Sequence, residues 1–375
     1  MGKSPAHIRS SLEKRQQQHL LRELNVYENG TDFISNDYLG FVKHGHLQKQ
    51  FELMFGVHVF KSGSTGSRLI SGHSHFKQQT ETIIAAEHKA EKALVFNSGY
   101  DANVGLLSSV PQKQDLILSD ELIHASLHDG MRLSFATSYK FRHNDVEHLS
   151  ELLERHAGKF ENIYVVVESV YSMDGDEAPL LNIVNLIQNY DHVFLIVDEA
   201  HALGVLGNNG KGLCEELGIG EKCFARLYTY GKAMGCHGAA VLGNSELIHY
   251  LVNYARSFIY TTALPDASFA KIRAAYELLK NKSLQQELNE NITYFCQIMP
   301  ADKLFIQSRS AIQCMLVNDA AKADEIQHRM QQSHILCKAV KTPTVKAGTE
   351  RIRFCIHAFN TKEEMNKVME VLKHD

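Results

Sequence analysis

Short apolar runs alternate with longer amphipathic stretches through the middle of the chain. Between about residues 61 and 242, each run has the length of a buried strand and each intervening stretch has helical spacing. This alternation is typical of an α/β fold in which a mostly parallel central sheet is flanked by helices. The predicted strands are 93–96, 116–118, 163–167, 193–197, 227–229 and 238–242.

The first part of the chain has a different pattern. Apolar residues recur at near-helical spacing over 8–24 among Arg, Lys, Glu and Gln, which predicts an amphipathic helical arm that needs a partner surface. Residues 32–40 then predict a short strand that ends in a turn, because Ser, Asn and Asp favour local side-chain to backbone hydrogen bonds.

The last part of the chain predicts a smaller α+β lobe. A long helical stretch follows Pro265 and continues to about residue 288. Beyond it, strand-like runs at 312–317 and 352–356 alternate with helix-like runs at 321–332 and 362–372. We therefore predict three parts, an N-terminal arm (1–42), a large domain (43–275) and a small C-terminal domain (276–375).

Composition narrows the class of protein. A chain of 375 residues is long enough for two or three lobes, and its net charge of -4 gives no electrostatic reason to bind nucleic acid. The first 22 residues are polar, and nowhere do eighteen apolar residues follow one another. We expect a soluble, cytoplasmic protein that does not bind membranes.

Metal sites and disulfides are not predicted. The seven cysteines are scattered and never form a C-x-x-C pair, which is typical of reduced, buried thiols. His124 and His128 have the spacing of two metal ligands on a helix, but no third ligand accompanies them. We expect no bound metal.

Two polar residues follow neighbouring predicted strands. Asp198 ends the apolar run 193–197, and Lys232 stands shortly after the run 225–228. In an open α/β sheet, ligands bind at the carboxyl ends of the strands, so the amine and the carboxylate should face one site. An amine beside a buried acid suits an aldehyde cofactor held as a Schiff base, with its protonated pyridine nitrogen paired to the acid, which describes pyridoxal phosphate.

Three further segments follow strands at the same predicted edge. Gly99 and Tyr100 stand between a strand and a helix, where free N–H groups and the helix dipole favour a phosphate, although such a junction is also an ordinary turn. His124 could lie flat against a planar ring. Ser172 offers a hydroxyl from a Ser-Met-Asp-Gly loop, which is also a common turn sequence.

The ordered set of motifs resembles the α-oxoamine synthases, a family of fold-type I pyridoxal phosphate enzymes, over nearly the whole chain. The motifs are SNDYLG (35–40), SGH (71–73), SGY (98–100), HAS (124–126), HND (143–145), SMDGD (172–176), DEAH (198–201), GK (231–232) and YTTALP (260–265). Within the family, the chain is most similar to the branch that joins L-alanine to a pimeloyl thioester in biotin biosynthesis.

The resemblance implies a pyridoxal 5'-phosphate cofactor and a role for each matching residue. Lys232 would bind the cofactor covalently and act as the general base, Asp198 would hold the pyridine nitrogen protonated, His201 would bond the ring hydroxyl and His124 would stack on the ring. The remaining cofactor contacts implied are Ser98, Gly99, Tyr100, Ser172, Thr229 and Thr262.

The resemblance also implies the substrate contacts and the oligomer. Arg353, helped by Asn36, would grip the carboxylate of the amino acid, for which a guanidinium is well suited. Arg22 and Thr344 match further substrate contacts. Thr262 matches a residue that reaches the cofactor of the neighbouring subunit, so a homodimer with shared active sites is implied.

Several alternatives remain open from the sequence. The pimeloyl group could arrive on coenzyme A or on acyl-carrier protein. Other branches of the family use glycine with an acetyl thioester, glycine with a succinyl thioester, or serine with a palmitoyl thioester. A relative that has lost catalysis and only binds a partner is the alternative from another class, although Lys232, Asp198, His201 and His124 are all present.

Overall fold

A computed structural model describes residues 3–18, 20–27, 29–56 and 58–373. Its strands are β1 (Thr31–Asp32), β2 (Lys92–Phe96), β3 (Leu116–Asp120), β4 (Thr137–Phe141), β5 (Ile163–Glu168), β6 (Val193–Asp198), β7 (Ala225–Thr229), β8 (Ala239–Gly243), β9 (Ile312–Leu316), β10 (Ile335–Leu336), β11 (Lys338–Val340) and β12 (Arg351–Cys355).

The helices alternate with these strands through the large part of the chain. They are α1 (Ala6–Gln17), α2 (His46–Phe55), α3 (His75–Glu87), α4 (Gly99–Ser109), α5 (Ala125–Leu133), α6 (Val146–His156), α7 (Leu180–Ile187), α8 (Leu213–Glu216), α9 (Ser245–Tyr254), α10 (Arg256–Ile259), α11 (Asp266–Leu279), α12 (Ser283–Ile298), α13 (Ala320–Gln332) and α14 (Lys362–Lys373). Short 3-10 turns lie at Asn208–Gly210 and Gly220–Lys222.

The central sheet has seven strands in the order β2-β8-β7-β6-β5-β3-β4. Every strand predicted from an apolar run in this region is present, which confirms the mostly parallel α/β fold. β8 runs antiparallel to both of its neighbours, and the other pairs are parallel. β4 was not predicted, because an edge strand with four exposed residues out of five carries no apolar run.

The parallel strands end at a common edge of this sheet. β5 and β6 are fully paired up to Glu168 and Asp198, and β6 pairs in turn with β7. β2 is antiparallel to β8 and therefore points the same way as β7. The loops that follow β2, β3, β4, β5, β6 and β7 consequently meet on one side, as is usual for sites in open α/β sheets.

The C-terminal part forms a second sheet in the order β11-β12-β9, with both pairs antiparallel. The strand and helix pattern predicted for this part is confirmed. The single long helix predicted after Pro265 is wrong, because α11 ends at Leu279 and α12 begins at Ser283. Asn281 interrupts the helix by accepting the backbone N–H of Ser283 at 3.2 Å.

The segment after the first helix belongs to the folded core. Only Thr31 and Asp32 form the predicted short strand, and they pair with β10 of the C-terminal part. The carboxylate of Asp32 then accepts the N–H groups of Ile34 and Ser35, each at 2.9 Å, which turns the chain out of the strand. The short strand and the turn predicted within residues 32–40 are both present, with the strand ending at Asp32.

The predicted arm is a helix that ends earlier than expected. α1 stops at Gln17, has no buried residue and leaves Ile8 and Leu12 exposed, and His19 lies outside the described residues. The partner surface for this helix and the three-part division at residues 42 and 275 stay predictions. Among the described residues, no helix is both long enough and apolar enough to cross a bilayer.

Candidate active site

Lys232 and His201 lie side by side after neighbouring strands. Lys232 follows β7, and its Nζ atom is 2.7 Å from Nε2 of His201, which follows β6. The other ring nitrogen, Nδ1, is 2.8 Å from the hydroxyl of Tyr38, which in turn donates to Oδ1 of Asn36 at 3.0 Å. Since the tyrosine donates its only proton to Asn36, Nδ1 of His201 must be the protonated nitrogen, and Nε2 accepts from Lys232.

The electrostatics of this pair agree with that assignment. Burial, and then the charge of Lys232, lower the pKa of His201 well below its usual range, so the ring is neutral. Burial also lowers the pKa of Lys232 to about 8, although the carboxylates of Asp198 and Glu168 favour the protonated amine. An amine with this pKa is partly neutral near pH 8 and can act as a nucleophile or as a base.

Asp198 is held at the bottom of the same site. The residue is buried, and its carboxylate accepts Nδ2 of Asn103 at 2.8 Å and the N–H of Ala200 at 2.9 Å. The carboxylate therefore keeps its orientation while retaining further lone pairs for a cation. A buried carboxylate in a polar site is stable when a cationic partner completes its shell, and a protonated pyridine nitrogen is such a partner.

His124 joins this cluster through Ser126. The N–H of Ser126 donates to Nδ1 of His124 at 3.2 Å, and its hydroxyl lies 2.7 Å from the same atom. Nδ2 of Asn103 donates to that hydroxyl at 2.9 Å and also to the carboxylate of Asp198. Asn103 therefore connects Asp198 to His124 through Ser126. The residue is exposed, and desolvation by nearby protein lowers the pKa of His124, which favours the neutral ring.

The start of α4 forms a cradle for an anion. Ser98 caps the helix by accepting the N–H of Asp101 at 3.1 Å, and the N–H groups of Gly99 and Tyr100 have no acceptor within the described chain. A Cβ added at Gly99 would lie 2.3 Å from the hydroxyl oxygen of Thr229. Only glycine therefore leaves room between the helix start and that hydroxyl, which suits a phosphate group.

The side chains of two predicted cofactor residues are placed differently from the backbone of this cradle. The hydroxyl of Tyr100 is bonded to Asp129, which raises the pKa of the tyrosine, so its side chain points along the protein surface. Thr262 is exposed, and its carbonyl accepts Nδ2 of Asn97 at 2.9 Å, beside the cradle. An exposed Thr262 is what a contact with a second subunit requires, and that contact stays a prediction.

Arg353 reaches the site from the second sheet. It lies on β12, and its Nε donates to the carbonyl of Ser172 at 2.9 Å while Nη2 donates to Oδ1 of Asn36 at 3.2 Å. Asn36 thus accepts from both Arg353 and Tyr38. A continuous hydrogen-bonded chain therefore connects Arg353 to Lys232 through Asn36, Tyr38 and His201.

The last two predicted substrate residues contact one another. Nη2 of Arg22 donates to the hydroxyl of Thr344 at 3.4 Å, although 322 positions separate them in the sequence. Both side chains are exposed. The structure brings this pair together, and its role in binding a substrate stays a prediction.

Three residues that complete the site were not predicted from the sequence. Tyr38 orients His201, and Asn103 orients Asp198. Glu168 is buried beside Asp198, and burial together with that neighbour raises its pKa to about 8. The sequence did offer a signal for Glu168, since this acid ends a fully apolar strand, as Asp198 does.

The residues present fit pyridoxal phosphate. The site combines an amine of lowered pKa at Lys232, a buried carboxylate at Asp198 and the N–H groups at the start of α4, where a Cβ at Gly99 would collide with Thr229. These groups match an aldehyde, a pyridine nitrogen and a phosphate, respectively. His124 adds a ring whose lowered pKa favours its neutral form.

Comparisons with known proteins agree with this chemistry. The family model described as aminotransferase class I and II matches residues 28–372. The 8-amino-7-oxononanoate synthase of Emericella nidulans is 39% identical over 400 aligned residues, which cover 99% of this chain and 97% of that protein.

Solved structures resemble the chain along most of its length. The 8-amino-7-oxononanoate synthase of Francisella tularensis is 28% identical with a TM-score of 0.77, and the match covers 92% of this chain and 97% of that one. Serine palmitoyltransferase of S. paucimobilis, solved with bound PLP and myriocin, has a TM-score of 0.88 and covers 98% and 96%, respectively. At 24% identity, that second likeness concerns the fold.

Proposed function

The chain belongs to the class I and II aminotransferase family, and from that premise we propose that it joins L-alanine to a pimeloyl thioester to give 8-amino-7-oxononanoate. Carbon dioxide and the free thiol are the other products, and the reaction serves biotin biosynthesis. The near full-length likeness to synthases of this product supports the proposal. The structural observation that supports the proposal most directly is the continuous series of hydrogen bonds from the guanidinium of Arg353 to the amine of Lys232.

The enzyme depends on pyridoxal 5'-phosphate. When bound, this cofactor supplies an aldehyde that takes up the amino group of alanine and a pyridinium ring that withdraws electrons from the alanine α-carbon. Asp198 would hold the pyridine nitrogen protonated, and His124 would stack on the ring. The N–H groups of Gly99 and Tyr100, together with Ser98 and Thr229, would hold the phosphate, and Ser172 would contact the cofactor from its own loop.

Lys232 moves the proton of the reaction at Nζ. Its lowered pKa leaves part of the amine neutral, so Nζ accepts the proton from the α-carbon of alanine. The α-carbon then bonds to the acyl carbonyl carbon as the carbon–sulfur bond breaks, and the departing thiolate takes a proton from water. The alanine carboxylate departs as carbon dioxide, and Nζ of Lys232 returns its proton to the α-carbon. His201, whose Nε2 lies 2.7 Å from Nζ of Lys232, would bond the ring hydroxyl of the bound cofactor.

Arg353 selects an α-amino acid by its carboxylate. Its planar guanidinium can bind both carboxylate oxygens, and Asn36 fixes its orientation. Arg22 and Thr344 bind the acyl donor or the distal part of the substrate from their exposed position. Two copies of the chain form a homodimer in which Thr262 of each copy would reach the phosphate bound by the other. The enzyme works in the cytoplasm and binds neither membranes nor nucleic acid.

A substrate panel tests the proposal. Purified protein is mixed with alanine, glycine or serine and with pimeloyl, acetyl, succinyl or palmitoyl thioesters of coenzyme A, and thiol release is followed. Alanine with the pimeloyl thioester should give the highest kcat/KM. A higher value for glycine or serine with another thioester would assign the chain to a different branch of the family. Pimeloyl acyl-carrier protein in a parallel reaction identifies the preferred carrier.

A further inference from the structure

His143 lies between two carboxylates at the edge of the sheet that carries the site. It follows β4, and its Nδ1 is 3.0 Å from Oδ1 of Asp120, while its Nε2 is 2.8 Å from Oδ2 of Asp176. The His-Asn-Asp motif to which it belongs has no part in the chemistry described above. A ring that bonds acids through both nitrogens is nevertheless a specific arrangement.

Each of the two carboxylates adjoins a residue proposed to contact the cofactor. Asp120 ends β3 and stands four positions before His124, and Asp176 stands four positions after Ser172. His143 therefore bridges the loop of His124 to the loop of Ser172. The bridge is short on both sides, so displacement of the ring would separate the two loops.

Asn144 reinforces this bridge. Its backbone N–H donates to Oδ2 of Asp120 at 2.8 Å, and its Nδ2 donates to Oδ2 of Asp176 at 2.9 Å. The residue adopts a positive φ of 54°, which a side chain such as Asn tolerates better than most. His143 and Asn144 thus bind the same two carboxylates from one turn of the chain.

The ring of His143 is a cation in this position. Ionised carboxylates only accept hydrogen bonds, so both ring nitrogens must carry protons. Burial opposes the charge, but the hydrogen bonds and charges of Asp120 and Asp176 outweigh it and raise the pKa of His143 to about 9. A ring with two protonated nitrogens has no lone pair for a metal, although Asp174 and Asp176 lie close by.

The other groups that face the ring do not bond to its two nitrogen atoms. Glu121 accepts the backbone N–H of His143 at 3.1 Å, and Tyr171 meets the ring edge-on with centroids 4.5 Å apart. Asp174 pairs with Arg351 on β12. Asp120 and Asp176 are therefore the acids that keep His143 protonated.

We propose that His143 is a positioning residue, a cationic clamp that holds the loops of His124 and Ser172 in the geometry that the bound cofactor and alanine require. This inference rests on the proposed function for its link to turnover. The link to alanine runs through Ser172, whose carbonyl accepts Nε of Arg353 at 2.9 Å. Release of the clamp would therefore disturb the cofactor contact and the carboxylate contact together.

The first test replaces the cation by a neutral amide. His143→Gln is compared with His249→Gln, which changes an exposed histidine on α9 and serves as the matched control. A misplacement of about 1 Å near the chemistry costs on the order of 100-fold in rate, so His143→Gln should lose between about 10-fold and 100-fold in kcat with a higher KM for alanine. The control should match the wild type.

The second test asks whether a neutral bridge can replace the cation. Oδ2 of Asp176 also accepts Nδ2 of Asn144 at 2.9 Å, so an asparagine at this position cannot accept from Asn144 and donate to a glutamine through the same atom. The double variant His143→Gln with Asp176→Asn should therefore stay as slow as His143→Gln. A double variant that regains most of the wild-type kcat would overturn the proposal, because it has no cation between the two loops.

A stability measurement separates the clamp from the activity. The difference in urea midpoint between wild type and His143→Gln should be largest below about pH 6.5, the ordinary pKa of histidine, and should shrink as pH rises through about 9. Lys232 is present in both proteins, so its titration cancels. A difference in urea midpoint that is constant from pH 6 to 10 would refute the charged clamp. A wild type that turned over none of the substrates tested would count against the proposed function alone, and the stability measurement would still test the clamp.

Discussion

Nζ of Lys232 lies 2.7 Å from Nε2 of His201, and the opposite nitrogen of that ring is fixed by Tyr38. The amine therefore faces an acceptor whose tautomer is set by a buried hydroxyl. The roles proposed for Lys232, a covalent anchor and a base, yield predictions that can be checked separately.

Replacement of Lys232 should abolish turnover. Lys232→Ala removes the covalent link and the base together, so kcat should fall by at least about 10,000-fold. The visible absorbance of the cofactor joined to lysine should also disappear. Lys222→Ala, which alters an exposed lysine, is the matched control and should keep both properties. A Lys232→Ala protein with near-normal turnover would remove Lys232 from the mechanism.

The lowered pKa of Lys232 should govern capture of the cofactor by the apoprotein. Burial destabilises the protonated amine, so the neutral fraction rises with pH and saturates above the pKa of about 8. The rate of absorbance change on mixing with pyridoxal phosphate should increase about tenfold per pH unit well below 8 and level off above it. A rate that keeps rising to pH 10 would contradict the lowered pKa.

Tyr38→Phe should loosen the orientation of His201. The substitution keeps the aromatic packing but leaves the buried Nδ1 of His201 without its partner, which costs about 1–3 kcal/mol in the free energy of unfolding. Urea denaturation measures this loss. The pH titration of the cofactor absorbance should shift as well, because the histidine tautomer beside Lys232 is no longer fixed. An unchanged titration would show that His201 is held in another way.

Arg353→Lys should weaken alanine binding more than acyl donor binding. Lysine keeps the charge but cannot bind both carboxylate oxygens or reach Ser172 and Asn36 with the same geometry. The KM for alanine should rise by about 10-fold to 100-fold, which corresponds to the roughly 1.5–3 kcal/mol of a charged hydrogen bond. The KM for the pimeloyl thioester is the internal control, and an equal rise in both would contradict a carboxylate-specific role.

Gly99→Ala should weaken cofactor retention. The new methyl group would meet the hydroxyl of Thr229 at 2.3 Å and would occupy the cradle. Equilibrium dialysis of pyridoxal phosphate against the apoprotein should show a Kd higher by at least about 10-fold, as expected when about 1.4 kcal/mol of contact is lost. Gly158→Ala is the matched control because nothing lies within 4 Å of its added Cβ. Equal Kd values for the two variants would place the phosphate elsewhere.

Much of the site could be predicted because parallel strands deliver their following residues to one edge. Asp198 and Lys232 each follow an apolar run, and the pairing of β6 with β7 brings them together as that rule requires. Glu168 obeys the same rule and could have been found by it.

Other parts could not be predicted because they depend on contacts between distant segments. Tyr38 meets His201 across 163 positions from a loop with no periodic pattern. The two acids of His143 come from different loops, and neither sequence neighbourhood indicates the other. β4 carries exposed residues along most of its length and is specified by its pairing with β3.

The parallel pairing of β1 with β10 has a consequence for the order in which the protein matures on the ribosome. Asn36 and Tyr38 are held by backbone bonds to the end of the chain, including Cys355 to Phe33 at 2.8 Å and Ala358 to Tyr38 at 2.8 Å. A nascent chain therefore cannot bring Asn36 and Tyr38 into their final positions until residues 335–358 have been synthesised, whereas the strands of the central sheet are all complete by residue 243.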